Sequence, residues 1–334
     1  MDALFGNQDR AASSTEAEHH SEVIPSYETA ISTRPTADQL AELMEMSLGG
    51  EAQTGDNTAG SGLAYMNPKD EGCSPDYSKA FDWYLKAANQ GNAIAQNNIG
   101  YMYYDGIGTT QSYDKAFVWY QKAAGNNNVG AQSMLGYMYY HGIGTGANSR
   151  QAFYWYSEAA KQGNPTAQNN LGYMYSHGQG TVQDYYKAAE WYRKAADQGD
   201  VTGQSNLGYL YLEGKGVIKD FSGALKWLPK AAEQGNVAAQ INLGYMYEHG
   251  KGTPQDYLKA IEWYRKAADQ GNAIAQTNLG NLYYQGKGGP KDYSKAFAWY
   301  LKAANQGNAD AQLALGSMYR DGKGIPKDHD KANQ

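Results

Sequence analysis

Apolar residues return with a helical spacing from residue 76 onward. The first such segment has apolar residues at i, i+3, i+4, i+7 and i+8, which lie on one face of an α-helix. They are Ala80, Trp83, Tyr84, Ala87 and Ala88. A second apolar face follows after a short polar break and is formed by Ala95, Ile99, Met102 and Tyr103. The pattern predicts two short amphipathic helices in succession.

The pair of segments recurs every 36 residues. All seven tryptophans follow this period: Trp83, Trp119, Trp155, Trp191, Trp227, Trp263 and Trp299. A glycine column and a glutamine column keep the same register. They are Gly100, Gly136, Gly172, Gly208, Gly244, Gly280 and Gly316, and Gln96, Gln132, Gln168, Gln204, Gln240, Gln276 and Gln312. A fixed period of this length predicts stacked units, each of which packs on its neighbours.

Capping residues mark the start of both helices in every unit. A short polar side chain at this position accepts a hydrogen bond from the free amides of the first turn. Before the first helices these residues are Asp76, Ser112, Asn148, Asp184, Asp220, Asp256 and Asp292. Before the second helices they are Asn92, Asn128, Asn164, Asp200, Asn236, Asn272 and Asn308. Both helices are therefore expected to begin at the same place in every repeat.

Three local features depart from a regular helix pair. Gly100 and its equivalents lie inside the second helix, where each costs about 1 kcal/mol relative to alanine. We expect two backbones to approach closely there. Asn127 replaces the glycine that follows the other first helices, and we expect it to be left-handed. Pro229 lies inside a first helix, and we expect a kink because proline removes a hydrogen bond.

These residues resemble the Sel-one-like repeat family, which is related to the tetratricopeptide repeats. Residues 167–175 (AQNNLGYMY) and 256–264 (DYLKAIEWY) carry the two halves of the family pattern, and the resemblance covers residues 76–334. It implies an all-α, right-handed α-solenoid of seven 36-residue helix-turn-helix repeats, with the first helices lining the concave side. It also implies a non-catalytic scaffold or adaptor that mediates protein–protein interactions through that surface.

The chain divides into three parts by composition. Residues 1–60 are predicted to be an acidic, largely disordered tail, with a possible short amphipathic helix at 36–47. Residues 61–75 resemble a degenerate half-repeat that could cap the array. Residues 76–334 form the array, in which an eighth first helix starts after Asp328 and is cut short.

The charges are unevenly divided between these parts. Residues 1–75 hold 13 acidic and 3 basic residues, and the remainder holds 21 acidic and 25 basic residues. Nucleic-acid binding requires a dense basic stripe, and a net charge of +4 spread over the array excludes it. The opposite signs leave open an alternative function, a regulatory subunit that is autoinhibited by its acidic tail.

Targeting and redox features favour a cytoplasmic protein. No apolar run approaches the length of about 18 residues that suggests a membrane span, so no direct membrane insertion is expected. Residues 1–20 are polar and acidic, unlike a secretory signal peptide. Cys73 is the single cysteine, which excludes an intrachain disulfide and a cysteine-based zinc site.

The sequence predicts no catalytic, cofactor-binding or metal-binding residues. His141, His177 and His249 share one column, but neighbouring packed helices lie about 8–10 Å apart, and no carboxylate or cysteine cluster joins them. Gly-Lys-Gly segments such as 214–216 follow no strand and precede no Ser or Thr, so they are interpreted as turns. An enzyme with an unrecognised site remains an alternative.

A stripe of first-helix positions differs from repeat to repeat and lies opposite the apolar face. The candidate partner-binding residues are Asp82, Val118, Tyr154, Glu190, Arg193, Lys226, Glu262 and Arg265. Variation along a helical array is typical of recognition of a protein or peptide, although unselected surface positions vary as well. A second column is interpreted as packing between repeats rather than binding: Tyr101, Tyr137, Tyr173, Tyr209 and Tyr245.

Overall fold

The computed structural model describes residues 77–332. The predicted tail, its helix at 36–47 and the half-repeat at 61–75 lie outside the described residues. Residues 77–332 contain helices and no strand. The helices are α1 Tyr77–Asn89, α2 Ala93–Asp105, α3 Tyr113–Gly125, α4 Val129–His141, α5 Ser149–Lys161, α6 Pro165–His177, α7 Tyr185–Asp197, α8 Val201–Glu213, α9 Phe221–Glu233, α10 Val237–His249, α11 Tyr257–Asp269, α12 Ala273–Gln285, α13 Tyr293–Ala304, α14 Ala309–Asp321 and α15 His329–Ala332.

These helices form two compact units, α1 to α7 and α8 to α15. Within each unit, the second helices pack on their own first helix and, except for α14, more extensively on the first helix of the next repeat. Neighbouring second helices also contact one another, as α2 does with α4 and α8 with α10. The tandem packing of helix pairs confirms the predicted all-α solenoid of 36-residue repeats.

The predicted caps are formed in both units. Six first helices begin after the expected residue, whose side chain accepts from a backbone N–H of the first turn, as Asp256 does from Lys259 at 3.0 Å. Six second helices begin in the same way, as Asn272 accepts from Ala275 at 3.0 Å. These bonds fix where each helix starts and therefore keep the repeats in register.

In five of the seven repeats, the glycine inside the second helix lies against a tyrosine ring and not against another backbone. Gly208 lies against Leu228 instead, and Gly316 lies near the backbone carbonyl oxygen of Ala332. A Cβ atom on Gly244 would lie 2.6 Å from two ring carbons of Tyr264, in the first helix of the next repeat. The same pairing joins Gly100 to Tyr120, Gly136 to Tyr156, Gly172 to Tyr192 and Gly280 to Tyr300. At these five positions the expectation of two close backbones was therefore wrong, because a side chain fills the space that the glycine leaves.

The tyrosines, rather than the tryptophans, form the centre of the core. Tyr120, Tyr192 and Tyr264 are among the largest fully buried side chains, whereas only Trp227 among the seven tryptophans is buried. The other tryptophans are half-buried at the edge of the apolar face. The predicted face is correct, but its most buried position lies one residue after the tryptophan.

The two irregular residues are accommodated within the repeat. Asn127 has a φ of 63°, which confirms the predicted left-handed conformation. Helix α9 runs without interruption through Pro229 and has the same 13-residue length as its neighbours. The proline therefore does not end the helix, and the kink remains a prediction.

Candidate functional site

Among the helical residues of each unit, most of the exposed ones belong to the first helices. Helices α8 and α10 contain no exposed residue, and α12 exposes only Gln285. In contrast, α11 buries Ala260, Tyr264, Ala267 and Ala268 and exposes most of its opposite side. We call the exposed sides of the first helices the first-helix face.

The packing does not support the expectation that the first helices line a concave side. Neighbouring second helices such as α4 and α6 contact one another more than neighbouring first helices do. Helices in closer contact are expected on the inner side of a curved stack. Small residues at this seam, such as Gly130 beside Asn97, permit the close approach. The first-helix face is therefore the side of each unit on which neighbouring helices contact one another less.

All eight candidate partner-binding residues are exposed on this face. Asp82, Val118, Tyr154, Glu190 and Arg193 belong to the unit of α1 to α7, and Lys226, Glu262 and Arg265 belong to the other unit. Some of these residues already contact neighbouring side chains. The guanidinium of Arg265 donates to the hydroxyl of Tyr283. Glu262 forms an ion pair with Lys266 at 3.0 Å.

A lysine lies over the ring of six of the seven tryptophans, a feature that the sequence interpretation missed. The Nζ atom of Lys122 lies 3.9 Å from the ring centroid of Trp119, and Lys266 lies at the same distance from Trp263. The same pairs are Lys86 with Trp83, Lys194 with Trp191, Lys230 with Trp227, and Lys302 with Trp299. The recurring spacing Trp-x-x-Lys was the available signal.

The glutamine column forms a hydrogen-bond relay between repeats, which the sequence interpretation also missed. Gln240 is buried, and its Nε2 atom donates to the carbonyl of Ala232 in its own repeat at 3.0 Å. Its Oε1 atom accepts from Nε2 of Gln270 in the next repeat at 2.9 Å. Equivalent bonds join Gln132 to Gln162, Gln168 to Gln198, and Gln276 to Gln306. The column is therefore structural.

The tyrosine and histidine columns pack against each other. Tyr173 and Tyr209 are buried, which agrees with a packing role. The ring of His177 stacks on Tyr173 with centroids 4.0 Å apart, and its Nδ1 atom lies 3.0 Å from the carbonyl oxygen of Tyr173. Burial lowers the pKa of His141 in the same column. These contacts explain the shared column without a ligand.

Other kinds of site have little support within the described range. Residues 77–332 contain no cluster of three or more His, Cys, Asp or Glu placed to bind a metal ion. A cavity of about 20 Å³ beside Tyr140, Tyr156 and Asn170 has room for about one water molecule. None of the helices from α1 to α15 has the length and apolarity needed to span a membrane.

The stacked helix pairs, the inter-repeat relay and the exposed first-helix face define a tandem helical-repeat protein. The family model of the Sel1 repeat matches eight consecutive segments: residues 60–92, 93–128, 129–164, 165–200, 201–236, 237–272, 273–308 and 309–334. The chain belongs to the Sel1 repeat family. From residue 93 onward, each matched segment starts with a second helix, the same helix that packs most extensively on the following first helix.

Two solved structures of this family resemble the chain. One is c5321, described as a protective antigen present in uropathogenic Escherichia coli strains, with 34% identity and a TM-score of 0.69 over 92% of this chain and 76% of that chain. The other is a Sel1 repeat protein from Oxalobacter formigenes, with 34% identity and a TM-score of 0.65 over 71% of this chain and 94% of that chain. A comparison with the curated proteins finds no significant match.

Proposed function

We propose that this protein is a non-catalytic scaffold or adaptor that binds a protein partner through its first-helix face. Sel1 repeat proteins are generally protein-interaction scaffolds. The observation that carries the proposal is the contrast between two sets of positions. Positions that join the repeats recur along the chain, whereas the exposed first-helix positions vary in charge and size between repeats, with one pair, Glu190 and Arg193, repeated as Glu262 and Arg265. A cytoplasmic location forms part of the same proposal.

The chemistry of the first-helix face supports recognition rather than catalysis. Tyr154 is exposed and can supply a large contact area at low entropic cost, which is a property of interface tyrosines. Glu190 and Arg193 lie three residues apart on α7 and present both signs of charge to a partner. Polar and charged groups of this kind set orientation and specificity more than raw affinity.

The test is affinity capture from source-cell lysate with the full chain and with a triple variant, Tyr154→Ala, Glu190→Lys and Arg193→Glu. A protein that is retained by the wild type and lost by the folded variant supports the proposal. The matched control is Val182→Ser, because Val182 is exposed at a loop tip outside the stripe. Recovery of the same proteins by all three chains would overturn the proposal for this face.

The acidic tail favours a second candidate function, a regulatory subunit whose tail competes with the partner. Residues 1–60 hold 11 acidic and 2 basic residues, so their net charge of −9 is opposite to that of the array. Removal of residues 1–60 should then tighten partner binding, most clearly at low ionic strength where exposed charges are least screened. Equal affinity with and without the tail would eliminate this candidate and leave the scaffold proposal intact.

A further inference from the structure

Trp155 differs from the other tryptophans because no lysine of residues 77–332 lies over its ring. In the other six repeats, the residue three positions after the tryptophan is a lysine whose Nζ atom lies 3.9–4.7 Å from the indole centroid. In α5 this position holds Glu158. The ring of Tyr154 contacts the Trp155 ring edge to face. Among the described residues, no cationic group lies over the Trp155 ring.

Trp155 is the one tryptophan that directly follows another aromatic residue, Tyr154. The rings of Tyr154 and Trp155 meet edge to face, with centroids 5.0 Å apart and an interplanar angle of 74°. Tyr154 is 52% exposed, and Trp155 is half-buried. Glu158 lies one helical turn after Trp155 on the same side of α5. An indole face, a phenol and a carboxylate therefore lie together on the first-helix face.

Lys161 is the cation that already contacts this group. Its Nζ atom lies 2.6 Å from Oε1 of Glu158, and the lysine side chain is 64% exposed. Exposed ion pairs of this kind are weak and are screened by salt, so an incoming cation can displace the lysine. No cation–π contact joins Lys161 to the ring of Trp155 among the described residues. The ion pair therefore holds Lys161 at the carboxylate and not over the indole ring.

We propose that Tyr154, Trp155 and Glu158 bind an arginine or lysine side chain from a basic segment of the partner protein. This inference rests on the proposed scaffold function and names the chemistry of one contact within it. The incoming cation takes the place over the indole that the protein's own lysine occupies in the other six repeats. A planar guanidinium can stack on the indole and donate to the carboxylate at the same time.

The direct test is a titration of the full chain, observed through the indole N–H signals of its seven tryptophans in ¹H–¹⁵N NMR spectra. The probe is the peptide acetyl-Gly-Gly-Arg-Gly-Gly-amide, and the matched control has neutral citrulline in place of arginine. The Trp155 signal should shift with the arginine peptide and stay in place with the citrulline peptide. The six lysine-covered indoles should not move with either peptide.

Two substitutions assign the effect to the missing lysine. Glu158→Lys gives α5 the pattern of the other repeats and should weaken the peptide association at Trp155 by about tenfold or more. Lys194→Glu uncovers Trp191 and should create a second responding signal there. The unshifted signals of the remaining tryptophans report that each variant is folded.

The outcomes separate this inference from the proposed function. Equal shifts at all seven indoles, no shift at Trp155, or an unchanged response in Glu158→Lys would overturn the inference. A captured partner that binds the Glu158→Lys variant as tightly as the wild type would also overturn it while leaving the scaffold function in place. A selective Trp155 response without any captured partner would support the contact and count against the scaffold function.

Discussion

Gln270 donates from its Nε2 atom to Oε1 of Gln240, 2.9 Å away and 30 residues earlier in the chain. Gln240 forms a second hydrogen bond within its own repeat, because its Nε2 atom donates to the carbonyl of Ala232. Two side chains thus join the end of one first helix to the end of the preceding one. The low exposure of Gln240 makes both bonds costly to lose, since water cannot replace them fully.

Gln240→Ala should lower the free energy of unfolding by about 1–3 kcal/mol, because a buried carbonyl and an amide lose their partner. The measurement is urea unfolding followed by circular dichroism. Gln312→Ala is the matched control: Gln312 occupies the same column but is exposed, and it bonds the Ala304 carbonyl at 3.3 Å. Equal losses for both variants would contradict a role for the relay in joining repeats.

Gly244→Ala should destabilise the protein although alanine favours helix formation by about 1 kcal/mol. The new methyl group would lie 2.6 Å from the ring of Tyr264, and overpacking of a filled core costs about 1–3 kcal/mol. Gly125→Ala is the control, since a Cβ atom at Gly125 meets nothing within 4 Å. Gly125→Ala should be neutral or stabilising, and a gain in stability for Gly244→Ala would show that the ring does not fill this space.

Tyr192→Ala should cost about 3–5 kcal/mol of unfolding free energy, in the range of buried aromatic truncations. Tyr192 is 0% exposed, whereas its neighbour Trp191 is half-buried beneath Lys194. Trp191→Ala should therefore cost less, and Glu190→Ala should change stability by no more than about 0.5 kcal/mol. A larger loss for Trp191→Ala than for Tyr192→Ala would mean that the core is centred on the tryptophans.

Stability should fall with rising pH above about 10. Burial raises the pKa of Tyr264 well above its ordinary value, and the Glu248 carboxylate adds to the rise. Tyrosines of the unfolded chain lose their protons near pH 10, so the folded state binds more protons above that pH and is destabilised there. Between about pH 10 and its raised pKa, each such tyrosine lowers the free energy of unfolding by about 1.4 kcal/mol per pH unit. Below about pH 9 these tyrosines do not make the free energy of unfolding depend on pH.

The measurement is urea unfolding between pH 8 and 11.5, with Tyr264→Phe as the variant. Phenylalanine keeps the ring on Gly244 but removes the ionisable hydroxyl, so the decline in stability above pH 10 should become shallower. An identical decline in both proteins would show that Tyr264 does not contribute to the pH dependence.

The sequence predicted the repeat length, both helices and their caps because these depend on local rules that recur in every unit. It placed the tryptophan column on the apolar face but could not tell how deeply it is buried, because hydrophobic spacing does not distinguish the centre of an apolar face from its edge. That distinction depends on the preceding repeat, whose Gly136 leaves the space that the ring of Tyr156 occupies. The relay from Gln240 to Gln270 also joins two repeats and is invisible to helix periodicity.

The candidate site shows the same division between local and non-local information. The first-helix pattern identified Glu190 and Tyr154 as exposed, and both are exposed. The side of the stack on which they lie depends on how closely neighbouring second helices approach, which is a non-local property. The lysine over the indole is likewise a side-chain contact that helix periodicity does not predict. Trp155 lacks this contact because Glu158 occupies the position of the lysine.

The central claim is that a protein partner covers the first-helix face, and side-chain footprinting tests it most directly. The full chain is oxidised by hydroxyl radicals alone and with the captured partner, and modified residues are identified by mass spectrometry. Tyr154 and Tyr186, which are 52% and 64% exposed on first helices, should be protected by the partner. The exposed loop residue Ile218 should react equally in both states. Protection of Ile218 with no change at Tyr154 and Tyr186 would contradict the account.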